Sequence, residues 1–246
     1  MEQTSQREIR AIDPTWTLAE IITRLAKALA GDGPAIALSS ISSSHVPSEI
    51  ALVISTSGST GSAKEVGLAT DAIVTSAKAT NKYLGAAPGQ VLVCDTTSVN
   101  FYQLCLAVIH ARPGRKTIIT DAANFPTDRY ILDGIAKQFG LKLVIIDNED
   151  PAIAKHERIT TEVLAPYLND DVAMVTLEVI QYRSGARTDL KSITDQVRAV
   201  GALVVWDASH AVGAIELNLD ANGVDLCVGC TYKYGNSGPG SPAWLY

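Results

Sequence analysis

The 246-residue sequence is poor in cysteine, has no surplus of basic charge and contains no long hydrophobic run. Each absence excludes something. The four cysteines, Cys94, Cys105, Cys227 and Cys230, argue against a disulfide framework in a chain of this size. Cys227 and Cys230 are spaced C-x-x-C, but no second such pair completes a zinc site. Residues 225–233 read as a strand, on which side chains three apart point to opposite faces. Lys and Arg number 20 against 26 Asp and Glu, and the isoelectric point is near 5.2. No basic stripe is present to neutralise phosphates, so nucleic acid is not expected as a partner. Residues 1–8 lack the apolar core of a secretory signal, and no run approaches the length of a membrane span. The expected location is the cytoplasm, with no membrane partner. An apolar content of 47% with 19% charged residues suits one or two domains with a sizeable core.

Leu18, Ile21, Ile22, Leu25 and Leu29 recur at helical spacing, with Ala28 on the same face, and predict a helix over 14–30. Gly31, Asp32, Gly33 and Pro34 stop it. The serine-rich stretch 39–48 reads as a loop or linker, 50–55 as a short strand, and 70–84 as a helix. From about Val91 the pattern alternates regularly. Strands are predicted at 91–95, 116–120, 142–146, 173–177 and 203–207, with helices at 98–112, 128–139, 160–168 and 188–200 between them. That rhythm argues for an α/β fold with a mostly parallel sheet buried on both faces. Strands at 225–232 and 242–246 are separated by a Gly/Pro-rich loop, which suits a return strand.

Polar residues gather where these strands end, at the edge where open α/β sheets bind ligands. The apolar run 203–206 ends in Asp207, and Lys233 follows the next predicted strand in Cys230, Thr231, Tyr232, Lys233 and Tyr234. An acid and a lysine so placed are what pyridoxal phosphate chemistry requires: the amine forms a Schiff base and the carboxylate keeps the pyridine nitrogen protonated. Thr97 and Ser98 stand where a strand turns into a helix, as a phosphate site or as a plain N-cap. Phe125 suits a ring-stacking role or a core plug. His210 suits the site or the surface, and Tyr232 suits catalysis or packing.

Residues 85–246 resemble kynureninase, a pyridoxal-phosphate family with the aspartate-aminotransferase (fold type I) architecture. The matching stretches are 93–100, 124–130, 182–185, 206–213 and 229–234, all in the family's order. The resemblance implies that Lys233 carries the cofactor and moves protons at the substrate α-carbon, and that Asp207 pairs with the pyridine nitrogen. It puts His210 beside the ring and Phe125 on its face, with Pro126, Thr127 and Asp128 in the same cofactor loop. Thr97 and Ser98 would hold the phosphate, and Tyr232 would touch it and act as a general acid. The implied reaction is hydrolysis of L-kynurenine, or its 3-hydroxy form, to the anthranilate product and L-alanine, by a homodimer. Glu178 stands where the family has a small hydroxyl residue facing the cofactor, and Val179 replaces a following histidine. A carboxylate there would repel the cofactor's oxygens unless protonated or turned away. The resemblance ends at Tyr246, without the segment that holds the family's substrate-carboxylate arginine. A cofactor half-site with little or no turnover is expected.

A second signature lies at residues 55–66. Hydroxyls and glycines precede a lysine, a pattern that can wrap nucleotide phosphates, although it is not a Walker A loop. It is similar to the phosphate loop of AMP-forming acyl-CoA ligases, and residues 10–90 resemble the start of o-succinylbenzoate–CoA ligase. By that resemblance Thr56, Ser57, Gly58, Ser59, Thr60, Gly61 and Lys64 would contact ATP. The two resemblances meet at 84–90, predicting a ligase-like fragment over 1–84 joined to a kynureninase-like part over 85–246. A ligase fragment, or a non-catalytic fusion remnant, is the alternative to a working pyridoxal-phosphate enzyme.

Overall fold

A computed structural model describes residues 5–38, 41–56, 64–147, 158–238 and 240–246. The chain divides into two compact units, 1–78 and 79–246. In the first, β1 (Gln6–Ala11) is followed by α1 (Leu18–Leu29), β2 (Ala35–Ala37), β3 (His45–Pro47), β4 (Ile50–Thr56) and β5 (Lys64–Ala69), in the sheet order β3-β1-β2-β4-β5. α1 starts at its first periodic apolar residue rather than at the expected 14, because Thr17 and Glu20 form a capping box. The Glu20 backbone N–H donates to the Thr17 hydroxyl, and the Thr17 N–H donates to the Glu20 carboxylate at 2.8 Å. Ile9, Ala35, Ala37 and Val53 form this unit's buried core. Periodicity does not reveal β2 or β3, since each is three residues long, and β3 lies inside the stretch expected as a loop.

α2 (Thr70–Leu84) leads into the alternating part. There β6 (Leu92–Cys94), α3 (Thr97–Ala111), β7 (Thr117–Asp121), α4 (Pro126–Phe139) and β8 (Lys142–Ile146) precede α5 (Thr161–Leu164), which a single 3-10 turn extends to Tyr167. β9 (Val172–Glu178), α6 (Leu190–Ala199), β10 (Leu203–Asp207), β11 (Leu226–Gly229) and β12 (Ala243–Leu245) complete it. The seven strands lie in the order β6-β12-β11-β10-β9-β7-β8. β8, β7, β9, β10 and β11 pair in parallel, while β12 runs antiparallel to both β11 and β6, as a return strand does. The expected strand over 225–232 is corrected at both ends. Asp225 is drawn off by Arg198, whose Nε donates to it at 2.8 Å. Past Gly229 the chain leaves the sheet, so Cys230, Tyr232 and Lys233 are not strand residues. A Cβ on Gly229 would lie 2.5 Å from the Trp244 ring, so no larger residue fits there. The opposite-face argument for Cys227 and Cys230 therefore does not apply; both thiols are free and buried.

The sheet is covered on both faces, and strand alternation sorts its side chains. Val175, Leu177, Val204, Trp206 and Cys227 face the side closed by α6. Met174, Val205 and Val228 face the side closed by α3 and α4, with Phe101, Leu104, Leu132 and Ile135. Trp206 is fully buried, and its indole N–H donates to Thr194 Oγ1 of α6 at 3.1 Å. Trp206→Ala empties the centre of this face and strands the Thr194 hydroxyl. It is expected to cost about 3–5 kcal/mol, read as a lower urea midpoint with an unchanged slope.

Candidate active site

The strand order reverses direction of growth between β7 and β9, which places a crevice at their C-terminal ends. β9 and β10 are paired so that Glu178 lies opposite Asp207. By alternation both side chains fall on the α3/α4 face, the same parity as Met174 and Val205. β7 leads through Phe125 into α4, so the face receives groups from three consecutive strands of the sheet.

Asp207 is buried and accepts a hydrogen bond at Oδ1 from the Ser209 backbone N–H at 2.7 Å. Asp128 sits in the first turn of α4, behind Pro126 and Thr127, and is also buried. The helix starts two residues earlier than the expected 128–139, so Pro126 and Thr127 are helical as well. Burial, followed by the charge of Asp207 and direct contact with that carboxylate, raises the Asp128 carboxyl to about 9. Glu178 adds to the rise and Lys233 opposes it. Asp128 Oδ2 meets no donor; a proton on Asp128 supplies the donor that two facing carboxylates lack.

Lys233 extends from the bends after β11. Its Nζ is 2.9 Å from His210 Nε2 and 5.4 Å from the centre of the Phe125 ring. The lysine segment is tied down locally: Ser237 donates from both its backbone N–H and its hydroxyl to the Thr231 carbonyl, at 3.2 and 2.8 Å. Gly213 adopts φ 88°, and a Cβ there would lie 2.4 Å from the Tyr234 carbonyl oxygen, so only glycine lets the two segments meet. His210 Nδ1 lies 3.5 Å from Glu178 Oε1. The other Glu178 oxygen accepts from the Tyr182 backbone N–H at 3.4 Å. Phe125 and Tyr182 stack edge to face at 5.2 Å between ring centres, with His210 at 6.3 Å from each. Tyr232 is half exposed, with Lys233 Nζ 5.8 Å from its ring. Burial, then Cys230 and Asp207, pushes its phenol up.

The structure thus gathers Phe125, Asp128, Glu178, Asp207, His210, Tyr232 and Lys233. Thr97 and Ser98 open α3 at the end of β6, and the N-cap is Thr96, whose hydroxyl accepts from the Val99 N–H at 3.3 Å. The helix therefore starts one residue earlier than expected, and neither Thr97 nor Ser98 is used as its cap. Of the expected ATP loop, Ser57, Gly58, Ser59, Thr60 and Gly61 lie outside the described residues, while Thr56 ends β4 and Lys64 begins β5. Sequence reasoning assigned no role to Tyr182, although it lies in a stretch matched to the family, and it did not pair Gln181 with Asp121. The Gln181 amide donates to Asp121 Oδ2 at 2.8 Å, bracing the β9 exit against the end of β7. The aromatic–Arg pair at 182–183 and the polar Gln181 within an apolar exit were the available signals.

Buried acids, an amine and an aromatic ring thus converge at the C-terminal edge of a mostly parallel α/β sheet. Residues 50–240 match the aminotransferase class-V family model, and the chain belongs to that family. Among curated proteins it is 39% identical over 168 residues to kynureninase of Burkholderia pseudomallei (strain K96243), covering 66% of this chain and 38% of that one. It is 36% identical over 169 residues to kynureninase of Pseudomonas fluorescens, with the same coverage. The chain spans about 38% of the length of these relatives. Solved structures share the fold: a NifS-like protein (TM-score 0.61, 19% identity, covering 70% of this chain and 46% of that one) and alanine–glyoxylate aminotransferase of Nostoc sp. (0.54, 20%, 69% and 42%). Pyridoxal phosphate is the cofactor of this family. The residues present are compatible with it: a protonated ring nitrogen would suit the buried Asp207–Asp128 pair, and Lys233 would offer an amine.

The acid pair makes stability depend on pH. In the folded chain Asp128 keeps its proton up to about 9, against 3.8 for an unperturbed aspartate. The folded state therefore holds a proton that the unfolded state has released, and this contribution is lost as pH rises through that window. Asp128→Asn removes the titration. Its melting temperature should exceed that of the unaltered chain progressively from pH 5 to pH 9, measured without cofactor, with the gap closing at about pH 4.

Proposed function

We propose that the chain carries the pyridoxal phosphate site of a kynureninase-type hydrolase, acting on L-kynurenine or its 3-hydroxy form. The observation that carries this reading is the Lys233 amine, held 2.9 Å from His210 over the Phe125 face, beside the buried acids. Bound there, the cofactor would act as an electron sink for the substrate α-carbon. Lys233 would hold it covalently and carry a proton to and from that carbon. Asp207, with Asp128 behind it, would keep a proton on the ring nitrogen. Phe125 would cover one face of the ring, and His210 would flank it. Thr97 and Ser98 would take the phosphate with the unpaired N–H groups at the start of α3. By resemblance Tyr232, a phenol that is protonated at neutral pH, would touch the phosphate and serve as general acid. Water adding to the γ-carbonyl would let the Cβ–Cγ bond break, with the anthranilate product leaving and a proton delivered to Cβ to give L-alanine. A homodimer and a cytoplasmic location accompany this reading by resemblance. Among the described residues no helix is long and apolar enough to cross a membrane.

For the N-terminal part we propose the ligase-like reading of residues 1–84, joined to the kynureninase-like part at 84–90, against which stands the family match that already begins at residue 50. Support comes from the sequence pattern and from β4 preceding the Gly/Ser run. The compact units meet a few residues earlier, between Lys78 and Ala79. ATP binding that is weakened at least tenfold in Lys64→Ala, followed by equilibrium dialysis, is the expected result; no binding by the unaltered chain sinks this part.

Adding pyridoxal phosphate to the full chain should produce the near-visible absorbance band of a lysine Schiff base, absent in Lys233→Ala. Any anthranilate released from L-kynurenine should vanish in the same variant. A chain that forms no band, or a band that survives Lys233→Ala, overturns the assignment.

A further inference from the structure

Glu178 is a carboxylate at a position where a small hydroxyl is expected, and it is 1% exposed. Burying it so deeply requires partners. It has two: Oε2 accepts from the Tyr182 N–H, and Oε1 lies 3.5 Å from His210 Nδ1. Oε1 and His210 Nδ1 are both buried and neither makes a hydrogen bond, which leaves the 3.5 Å approach between them as the contact that can serve both. The other nitrogen of the same ring, Nε2, is 2.9 Å from Lys233 Nζ. Carboxylate, imidazole and amine therefore stand in one line that runs from β9, through the turn after β10, to the lysine segment after β11.

From this geometry we infer that Glu178 is a positioning residue for Lys233, acting through His210 by fixing its tautomer. A neutral imidazole has one N–H and one lone pair. An ammonium group can only donate, so the Lys233 contact needs the lone pair on Nε2, which leaves the hydrogen on Nδ1, facing Glu178. The opposite tautomer would set a lone pair against a carboxylate oxygen and an N–H against the amine, two repulsions where there are now two attractions. A carboxylate behind an imidazole is a familiar way to set which ring nitrogen carries the proton. Burial, with the Asp207 charge, raises the Glu178 carboxyl, and the His210 and Tyr182 contacts oppose that rise. The amine is thus parked at one point over Phe125 before any cofactor arrives.

The inference rests on Lys233 as the cofactor-bearing amine, yet it can be tested without cofactor. The chain has four histidines, at 45, 110, 156 and 210, so nitrogen-15 labelling of histidine gives few signals, and His210→Gln assigns the relevant one. In the unliganded full chain His210 should carry its hydrogen on Nδ1. Glu178→Gln, whose amide oxygen can still accept, should keep that tautomer; Glu178→Met, which cannot, should shift it to Nε2–H or to a mixture. In parallel, Glu178→Met should slow Schiff-base formation with pyridoxal phosphate several-fold while Glu178→Gln stays near the unaltered rate. His210 protonated on Nε2 in the unaltered chain, or an unchanged tautomer in Glu178→Met, overturns the inference, even if the Schiff-base band forms normally. A normal tautomer pattern with no band would instead overturn the cofactor reading and leave the Glu178–His210 coupling standing.

Discussion

Carboxylates packed together at one sheet edge are the constraint on which this molecule depends. Asp128, Asp207 and Glu178 are all nearly inaccessible to solvent, and strand register puts two of them side by side. Charges so placed are costly unless they are paired or neutralised. The chain meets that demand in three different ways. A proton stays on Asp128, the Ser209 N–H serves Asp207, and His210 with the Tyr182 N–H serves Glu178. Lys233 lies within reach of this cluster and supplies positive charge. The same arrangement that makes the acids tolerable makes the site chemically useful: one acid pair that suits a protonated ring nitrogen, and one amine with a defined neighbour.

Sheet geometry supplies the precision. Parallel pairing of β9 with β10 fixes Glu178 opposite Asp207, and alternation turns both toward α3 and α4. Trp206, one residue earlier, is turned the opposite way and locks the other face against α6. A single run, Val204–Asp207, thus contributes to both cores and ends in the acid. The lysine is not delivered by a strand. It is delivered by a bent segment held by Ser237 and by the close approach of Gly213 to Tyr234, so backbone packing rather than strand geometry sets its position.

Much of this was readable from residues. The alternating half announces itself because its strands are apolar on both faces and its helices are long enough to show a period; β8, β10 and α2 fall where the pattern places them. Asp207 and Lys233 stand out because each follows an apolar run. The three-residue strands of the first unit left no period to read. The end of β11 was misplaced because Cys230, Thr231 and Tyr232 have good strand propensity, and only the Trp244 ring above Gly229 and the turn at Ser237 show where the sheet stops. The start of α4 was placed two residues late, at Asp128, because Pro126 marks a turn as readily as a first helical position.

The sequence by itself determined which chemical groups are available and roughly which strand ends they follow, because apolar periodicity and chain order are local properties. Tertiary structure alone decided their partnerships. Asp128 faces Asp207 across 79 positions of sequence, and Glu178 meets Lys233 only through His210. Such contacts depend on strand order, register and the path of a bent segment, none of which is encoded in the spacing of the residues that meet.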